Sequence, residues 1–208
     1  VSEAEADPAS VGMSARRLQA IDYLVAEAVA DGATPGAVVA VGRRGKLVRL
    51  RGYGRLDWAP SSGPAESSSI YDLASLTKVF GTTSAAMMLV DEGRLDLDAA
   101  VVDYLPWWGR GDPAKSSVTV RHLLLHRAGL PPFRRFYLEM EGREEYERAI
   151  GDLALDYAPG TRTVYSDIGV MTVAFIVEEL SGQHLDEFLE DRMWEPLGMS
   201  DTGFRPAV

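Results

Sequence analysis

Ser75-Leu76-Thr77-Lys78-Val79-Phe80-Gly81-Thr82-Thr83-Ser84-Ala85-Ala86-Met87-Met88-Leu89-Val90-Asp91-Glu92 is one run whose apolar positions fall nearly all round a helix, closed by Gly93. Such a pattern predicts a helix buried on most of its sides. Ser75 and Lys78 open it, and residues three apart share a helix face. A serine hydroxyl is a poor nucleophile until a neighbour takes its proton, and a desolvated lysine can do so because burial disfavours the ammonium. The chain has 18 Arg and 3 Lys. Arginine does not deprotonate, so lysine at this place suits a task that needs a titratable amine. Spacing alone leaves a second reading open, a Ser cap followed by a Lys stem.

Upstream of this run the pattern is different. Ser14 is placed to cap a helix from Ala15 to about Asp31, with Leu18, Ile21, Tyr23, Leu24, Val25 and Val29 as its apolar stripe and Gly32 as its stop. Ala37-Val38-Val39-Ala40-Val41 is β-branched and apolar on both faces, as in a strand inside a sheet. Gly42-Arg43-Arg44-Gly45 turns it into a second strand, Lys46 to about Tyr53, and the two read as a hairpin. A hairpin alone is marginal in water, and residues 57–208 offer helices but almost no strand. Either the hairpin packs on helices alone or, as the favoured expectation, further strands of its sheet come from a segment or chain outside these residues.

Downstream, Thr119 is placed to cap a short helix through His122 to His126, and Glu141 to about Leu155 is a weaker helical stretch. Ser166 or Asp167 opens a second nearly all-apolar helix ending at Gly182, and a last helix runs from about Leu185 to Trp194. Tyr165, just before the second apolar helix, stands where a helix N-terminus favours a phenolate and hence a general base. The alternative is a capping Ser166 or Asp167 with Tyr165 packed beneath. His122 and His126 have the spacing of a zinc-ligand pair, but Leu123 stands where a zinc protease needs Glu and no third ligand is evident. No metal or cofactor is expected, and His126 is read as bonding carbonyls at its helix end. The basic stretch Arg43 to Arg55 is read as a solvated strand face or an anion-steering rim, and Trp107-Trp108 as packing or a carbohydrate platform.

The 208 residues carry a net charge of −10 and no cysteine. Clustered positive charge is what nucleic acid needs, so nucleic acid is not an expected partner. Disulfides and thiolate catalysis are excluded, and no apolar run approaches the length of a membrane span. Residues 1–12 are small, polar and acidic and lack the pattern of a signal peptide.

In order, Asp72-Leu73-Ala74-Ser75-Leu76-Thr77-Lys78, Leu123-Leu124-Leu125-His126-Arg127-Ala128-Gly129-Leu130, Pro159-Gly160 and Tyr165-Ser166-Asp167-Ile168-Gly169 resemble the serine beta-lactamase and penicillin-binding-protein superfamily. The branch they resemble is the class C beta-lactamase-like one, with its carboxypeptidases and esterases. Trp194-Glu195-Pro196-Leu197-Gly198-Met199-Ser200-Asp201-Thr202 matches that branch too, so the resemblance spans about 12–205.

The resemblance implies an α/β (α+β type) beta-lactamase/transpeptidase-like fold, an antiparallel sheet part beside an all-helical part. Residues 1–56 would be the helix and hairpin of an incomplete sheet, and 57–208 the helical part. It makes Ser75 the acylated nucleophile, Lys78 its partner in proton transfer, and Tyr165 the general base that later activates water. The Ser75 N–H would donate to the oxyanion. The implied substrate is a small ester, a D-Ala-D-Ala-like peptide or a beta-lactam, bound in part by Asp167. Asp167 stands where many members carry Asn; an ionised Asp accepts but cannot donate, and it can pair with Lys78 and raise its pKa. The third motif, a basic residue or His, then any residue, then Gly, is expected from a C-terminal segment or chain, since Asp201-Thr202-Gly203 begins with an acid. Family habit favours a periplasmic or secreted place. The contrary expectation is a non-catalytic relative that binds peptidoglycan or a partner.

Overall fold

A computed structural model describes residues 5–205; the first four residues of the acidic lead-in and residues 206–208 lie outside it. The chain divides into two compact units, Val1–Asp72 and Leu73–Val208.

The first unit is one helix and one hairpin. Helix α1 (Ala15–Ala30) starts where Ser14 accepts the Arg17 N–H, and Gly32 follows it at φ +74°. Strands β1 (Gly36–Arg43) and β2 (Lys46–Gly54) pair antiparallel, with an irregularity between Val41 and Gly42. Arg44 (φ +54°) and Gly45 (φ +70°) are both left-handed, the backbone of a type I′ turn, whose twist suits a two-residue hairpin. A small core of Val11, Leu18 and Val48 lies beneath. Two features read from the sequence change here. Tyr23 and Leu24 are exposed rather than part of a buried stripe. The basic stretch is tied down: Arg49 pairs with Asp22, Arg51 with Glu5, and Arg43 and Arg55 donate to backbone carbonyls.

The second unit is helical. The run 75–92 is not one α-helix. A 3₁₀ turn (Ala74–Leu76) leads into a π-helical turn (Lys78–Thr83), and only then comes α2 (Ser84–Asp91). The Ser84 hydroxyl donates to the Val79 carbonyl five residues back, at 2.9 Å, and so caps a carbonyl of the widened turn. Nor is the run buried all round: Leu76, Val79, Phe80 and Met87 are exposed, while Ala85, Ala86 and Leu89 face the core.

Short helices α3 (Val101–Tyr104), α4 (Val120–Leu124) and α5 (Gly142–Asp152) follow, then α6 (Asp167–Ser181) and α7 (Leu185–Leu189), which continues as a π-helical turn to Trp194. Helix α6 is buried along Ile168, Val170, Val173, Ile176 and Val177, begins on the Ser166 cap and stops at Gly182, φ +74°. One buried cluster joins α2, α4, α6, α7 and Trp108.

Trp107 and Trp108 belong to that packing. Trp108 is fully buried, and Trp107 meets Phe175 edge-on at 5.7 Å. Against Trp108 lies Lys115, fully buried, its Nζ donating to the Ile150 and Gly151 carbonyls at 2.7 Å each and lying 4.7 Å from the indole. Burial pulls its amine down to about 8. The unfolded chain therefore holds this proton more tightly than the folded one, so this group's contribution makes stability rise with pH between about 8 and the ordinary lysine value near 10.5. In urea titrations from pH 7 to 10.5, the gap between the parent and Lys115→Met should widen in the parent's favour by on the order of 3 kcal/mol. A pH-independent gap would contradict the buried amine.

Candidate active site

Ser75, Lys78, Tyr165 and Asp167 come together within the second unit. Three local devices place them. Ala74 is left-handed at φ +44° immediately before Ser75, a conformation that costs a non-glycine residue energy and is held by its surroundings. Ser75 then sits inside the 3₁₀ turn, where residues three apart eclipse one another, and Lys78 Nζ lies 3.1 Å from Ser75 Oγ. Ser166 caps α6 from below, accepting the Gly169 N–H at 3.3 Å and donating to the Pro131 carbonyl at 2.7 Å. That bond holds Tyr165 and Asp167 on either side of a buried serine.

Lys78 is the hub. Its Nζ lies 2.8 Å from Asp167 Oδ1 and 4.9 Å from the centre of the Tyr165 ring. Burial works to lower its pKa, but hydrogen bonds with Asp167 and Tyr165 outweigh burial and leave it raised. The depressed amine expected from an apolar helix is therefore absent, because one face of the turn is open and an acid stands opposite. The Asp167–Lys78 pairing anticipated from the Asn-to-Asp departure is present.

The Tyr165 phenol is held below its ordinary value, first by a hydrogen bond with Ser75 and then by one with Lys78. Tyr165 is 53% exposed rather than packed beneath the helix.

His122 and His126 are not a pair. Helix α4 ends at Leu124, and His126 lies beyond it at φ +56°. His122 Nδ1 accepts the Thr119 N–H at 3.3 Å and completes the cap of α4. His126 does not bond carbonyls through its ring; its Nδ1 accepts the Ser166 N–H at 3.1 Å, and its ring lies 4.6 Å from that of Tyr165. Sequence reasoning missed this contact. The signal for it was the Leu-His-Arg-Ala-Gly-Leu segment itself, which carries more than a helix stop requires. Among the described residues no group of three His, Asp or Glu side chains is arranged to hold a metal, and no helix is long and apolar enough to cross a membrane.

A serine and a lysine within hydrogen-bond reach, a phenol below its ordinary pKa and a carboxylate on the lysine form a constellation suited to acyl transfer. Residues 21–208 match the Beta-lactamase family. The chain belongs to the beta-lactamase family. It is 33% identical, over 93% of its length, to the N-acetylmuramyl-L-alanine amidase of Bacillus subtilis (strain 168), covering 47% of that protein. It is 27% identical, over 98% of its length, to a protein of Escherichia coli (strain K12) with D-alanyl-D-alanine carboxypeptidase in its name, covering 51% of it. A solved class C beta-lactamase superposes with a TM-score of 0.77 at 25% identity, over 88% of this chain and 49% of that one. The fold is thus beta-lactamase/transpeptidase-like, and the two-stranded sheet is consistent with part of its α/β domain. The chain spans about half the length of the curated relatives it matches.

Proposed function

We propose that Ser75 is the nucleophile of a serine acyl hydrolase acting on a peptidoglycan-type peptide, an ester or a lactam. The supporting observation is the hub itself: Lys78 Nζ at 3.1 Å from Ser75 and 2.8 Å from Asp167, with the Tyr165 ring above it.

The proposed roles follow the direction in which two groups are perturbed. Lys78, raised, is the charge that stays protonated. Tyr165, lowered, is the base. Its phenolate takes the proton from Ser75 Oγ as the oxygen attacks the substrate carbonyl carbon, with the Ser75 N–H donating to the developing oxyanion. Tyr165 then passes that proton to the departing amine or alcohol as the carbonyl–leaving-group bond breaks. In the second half it takes a proton from water, the hydroxide attacks the acyl carbon, and the proton returns to Ser75 Oγ as the ester opens. Lys78 stabilises the phenolate in both halves without giving up its proton. Asp167, engaged with Lys78, can accept but cannot donate when ionised, so it offers no donor to a substrate amide carbonyl, whether of a lactam or of a peptide.

We further propose that turnover takes a further strand beside Ser75, carrying a basic- or His-x-Gly motif and the second oxyanion donor. The full-length protein, treated with a fluorophosphonate and with a fluorescent penicillin, is expected to gain the probe's mass on Ser75, and Ser75→Ala is expected to gain none. Absence of labelling, or equal labelling of Ser75→Ala, would replace the hydrolase with a binding protein.

A further inference from the structure

Beside the bond from Ser166 to the Pro131 carbonyl, the loop that carries Tyr165 is fastened by two neighbouring residues, His126 and Arg127. Arg127 accepts the Gly160 N–H on its carbonyl at 2.8 Å, and its guanidinium donates to the Gly160 carbonyl. Farther along, the two N–H groups that flank Tyr165 go to a single residue. The Val164 N–H donates to the His126 carbonyl at 2.9 Å, and the Ser166 N–H donates to His126 Nδ1 at 3.1 Å. The same imidazole lies 4.6 Å from the phenol ring, tilted by 41°. His126 thus grips Tyr165 from both sides along the backbone and from one side at the ring.

It does so from a backbone conformation that is itself uncommon. At φ +56° His126 is left-handed, a region in which Asn, Asp and His are the enriched non-glycine residues. A position spent on a strained histidine, when an ordinary helix stop would take glycine, points to a use for the side chain.

We propose that His126 is the positioning residue that sets Tyr165 against Ser75 and Lys78, and that protonation of its Nδ1 undoes this setting as the pH falls. The proposal rests on Tyr165 being the base. An Nδ1 that accepts an N–H has no proton there. Once protonated, Nδ1–H and the Ser166 N–H point two donors at each other, and the bond is lost. The groups facing the imidazole are Lys78 from the π-helical turn, Tyr165 from the gripped loop and Asp167 from α6, with Arg127 next in the chain. Burial, then the charge of Lys78, hold the imidazole below its ordinary value, so the setting survives at neutral pH. A displacement of the base by about 1 Å costs on the order of 100-fold in rate.

Two variants of the full-length protein test this. His126→Ala removes the Nδ1 acceptor and the ring. His126→Asn keeps a residue that tolerates φ +56° and offers an amide oxygen to the Ser166 N–H, but does not titrate. With 13Cζ-tyrosine labelling, the Tyr165 titration is expected to move up in His126→Ala, toward the ordinary tyrosine value. In turnover, kcat should fall roughly 100-fold in His126→Ala with little change in KM. His126→Asn should regain most of it, and its kcat profile should keep the rise through the Tyr165 titration but lose the additional, steeper fall at low pH that protonation of His126 causes. An unmoved Tyr165 titration in His126→Ala, or the parental steeper fall at low pH in His126→Asn, would overturn the proposal. The tyrosine titration needs no turnover, so it separates failure of the grip from failure of the acyl-transfer reading, which the labelling of Ser75 decides.

Discussion

Tyr165→Phe is expected to lose 10²- to 10⁴-fold in kcat/KM, about what a positioned general base contributes, while the protein unfolds at the parental temperature. The second half of that expectation follows from where the side chain is. Tyr165 is 53% exposed, its ring contact with His126 is retained by phenylalanine, and the Ser166 cap that starts α6 does not involve the phenol. Substitutions at such places usually change stability by no more than about 0.5 kcal/mol. What the variant removes is the single oxygen that shares hydrogen bonds with Ser75 and Lys78. Because the proposed mechanism has the same oxygen activate water, any Ser75 adduct that does form with a slow substrate should persist, and intact-protein mass spectra should show it accumulating. A kcat/KM within threefold of the parent would remove Tyr165 from the mechanism and return the proton to Lys78.

Much of this site is legible in the sequence because its parts are local. Ser75 and Lys78 meet through a three-residue spacing that any tight helical turn satisfies. Ser166 announces itself as a cap before an apolar run. The hairpin turn is read from Arg44-Gly45, and α6 from its uninterrupted apolar faces. What the sequence does not carry is the outcome of competition between neighbours distant along the chain. From its helix alone Lys78 reads as an amine that loses its proton in apolar surroundings; Asp167, 89 positions later, reverses the sign, a pairing open to the motif resemblance but not to the local pattern. His126 reads as a helix stop until the loop 160–166 folds back onto it. The helix over 75–92 fails for a different reason. Its apolar positions suit a helix throughout, but Val79-Phe80-Gly81-Thr82-Thr83 are weak α-helix formers, and the left-handed Ala74 and the bond from Ser84 to the Val79 carbonyl reshape its first two turns. Lys115 shows the limit of composition: a scarce lysine is as readily a buried strut between two carbonyls as a catalytic amine.

Lys78→Met separates the two roles a lysine can play beside Ser75. If Lys78 is the charge that lowers the Tyr165 phenol, its removal leaves the base in place but weaker. In the proposed mechanism phenolate is the active form, so activity should rise with pH through the Tyr165 pKa, which in the parent lies below the ordinary tyrosine value of 10. Without the ammonium, the hydrogen bond with Lys78 and its charge both vanish, and the Asp167 carboxylate is left unpaired near the phenol, where it pushes the pKa up. The alkaline-rising limb of kcat/KM should therefore move to higher pH, and activity at neutral pH should fall by on the order of 10²- to 10³-fold, the scale of losing one preorganised electrostatic partner. The loss should be partly recovered by raising the pH, since each unit restores about tenfold more phenolate until the group is titrated. Lys78→Met combined with Asp167→Asn removes the stranded carboxylate and should bring the limb part of the way back. If Lys78 is instead the base, Lys78→Met leaves no group to titrate in that range, and no pH restores the rate. The parental rise surviving at its original pH would be equally decisive, because it would show that the phenol owes nothing to the cation lying 4.9 Å from its ring. Asp167 makes the first outcome the expected one: a lysine held at 2.8 Å from a carboxylate keeps its proton, and the proposed mechanism then takes its base from the neighbouring phenol.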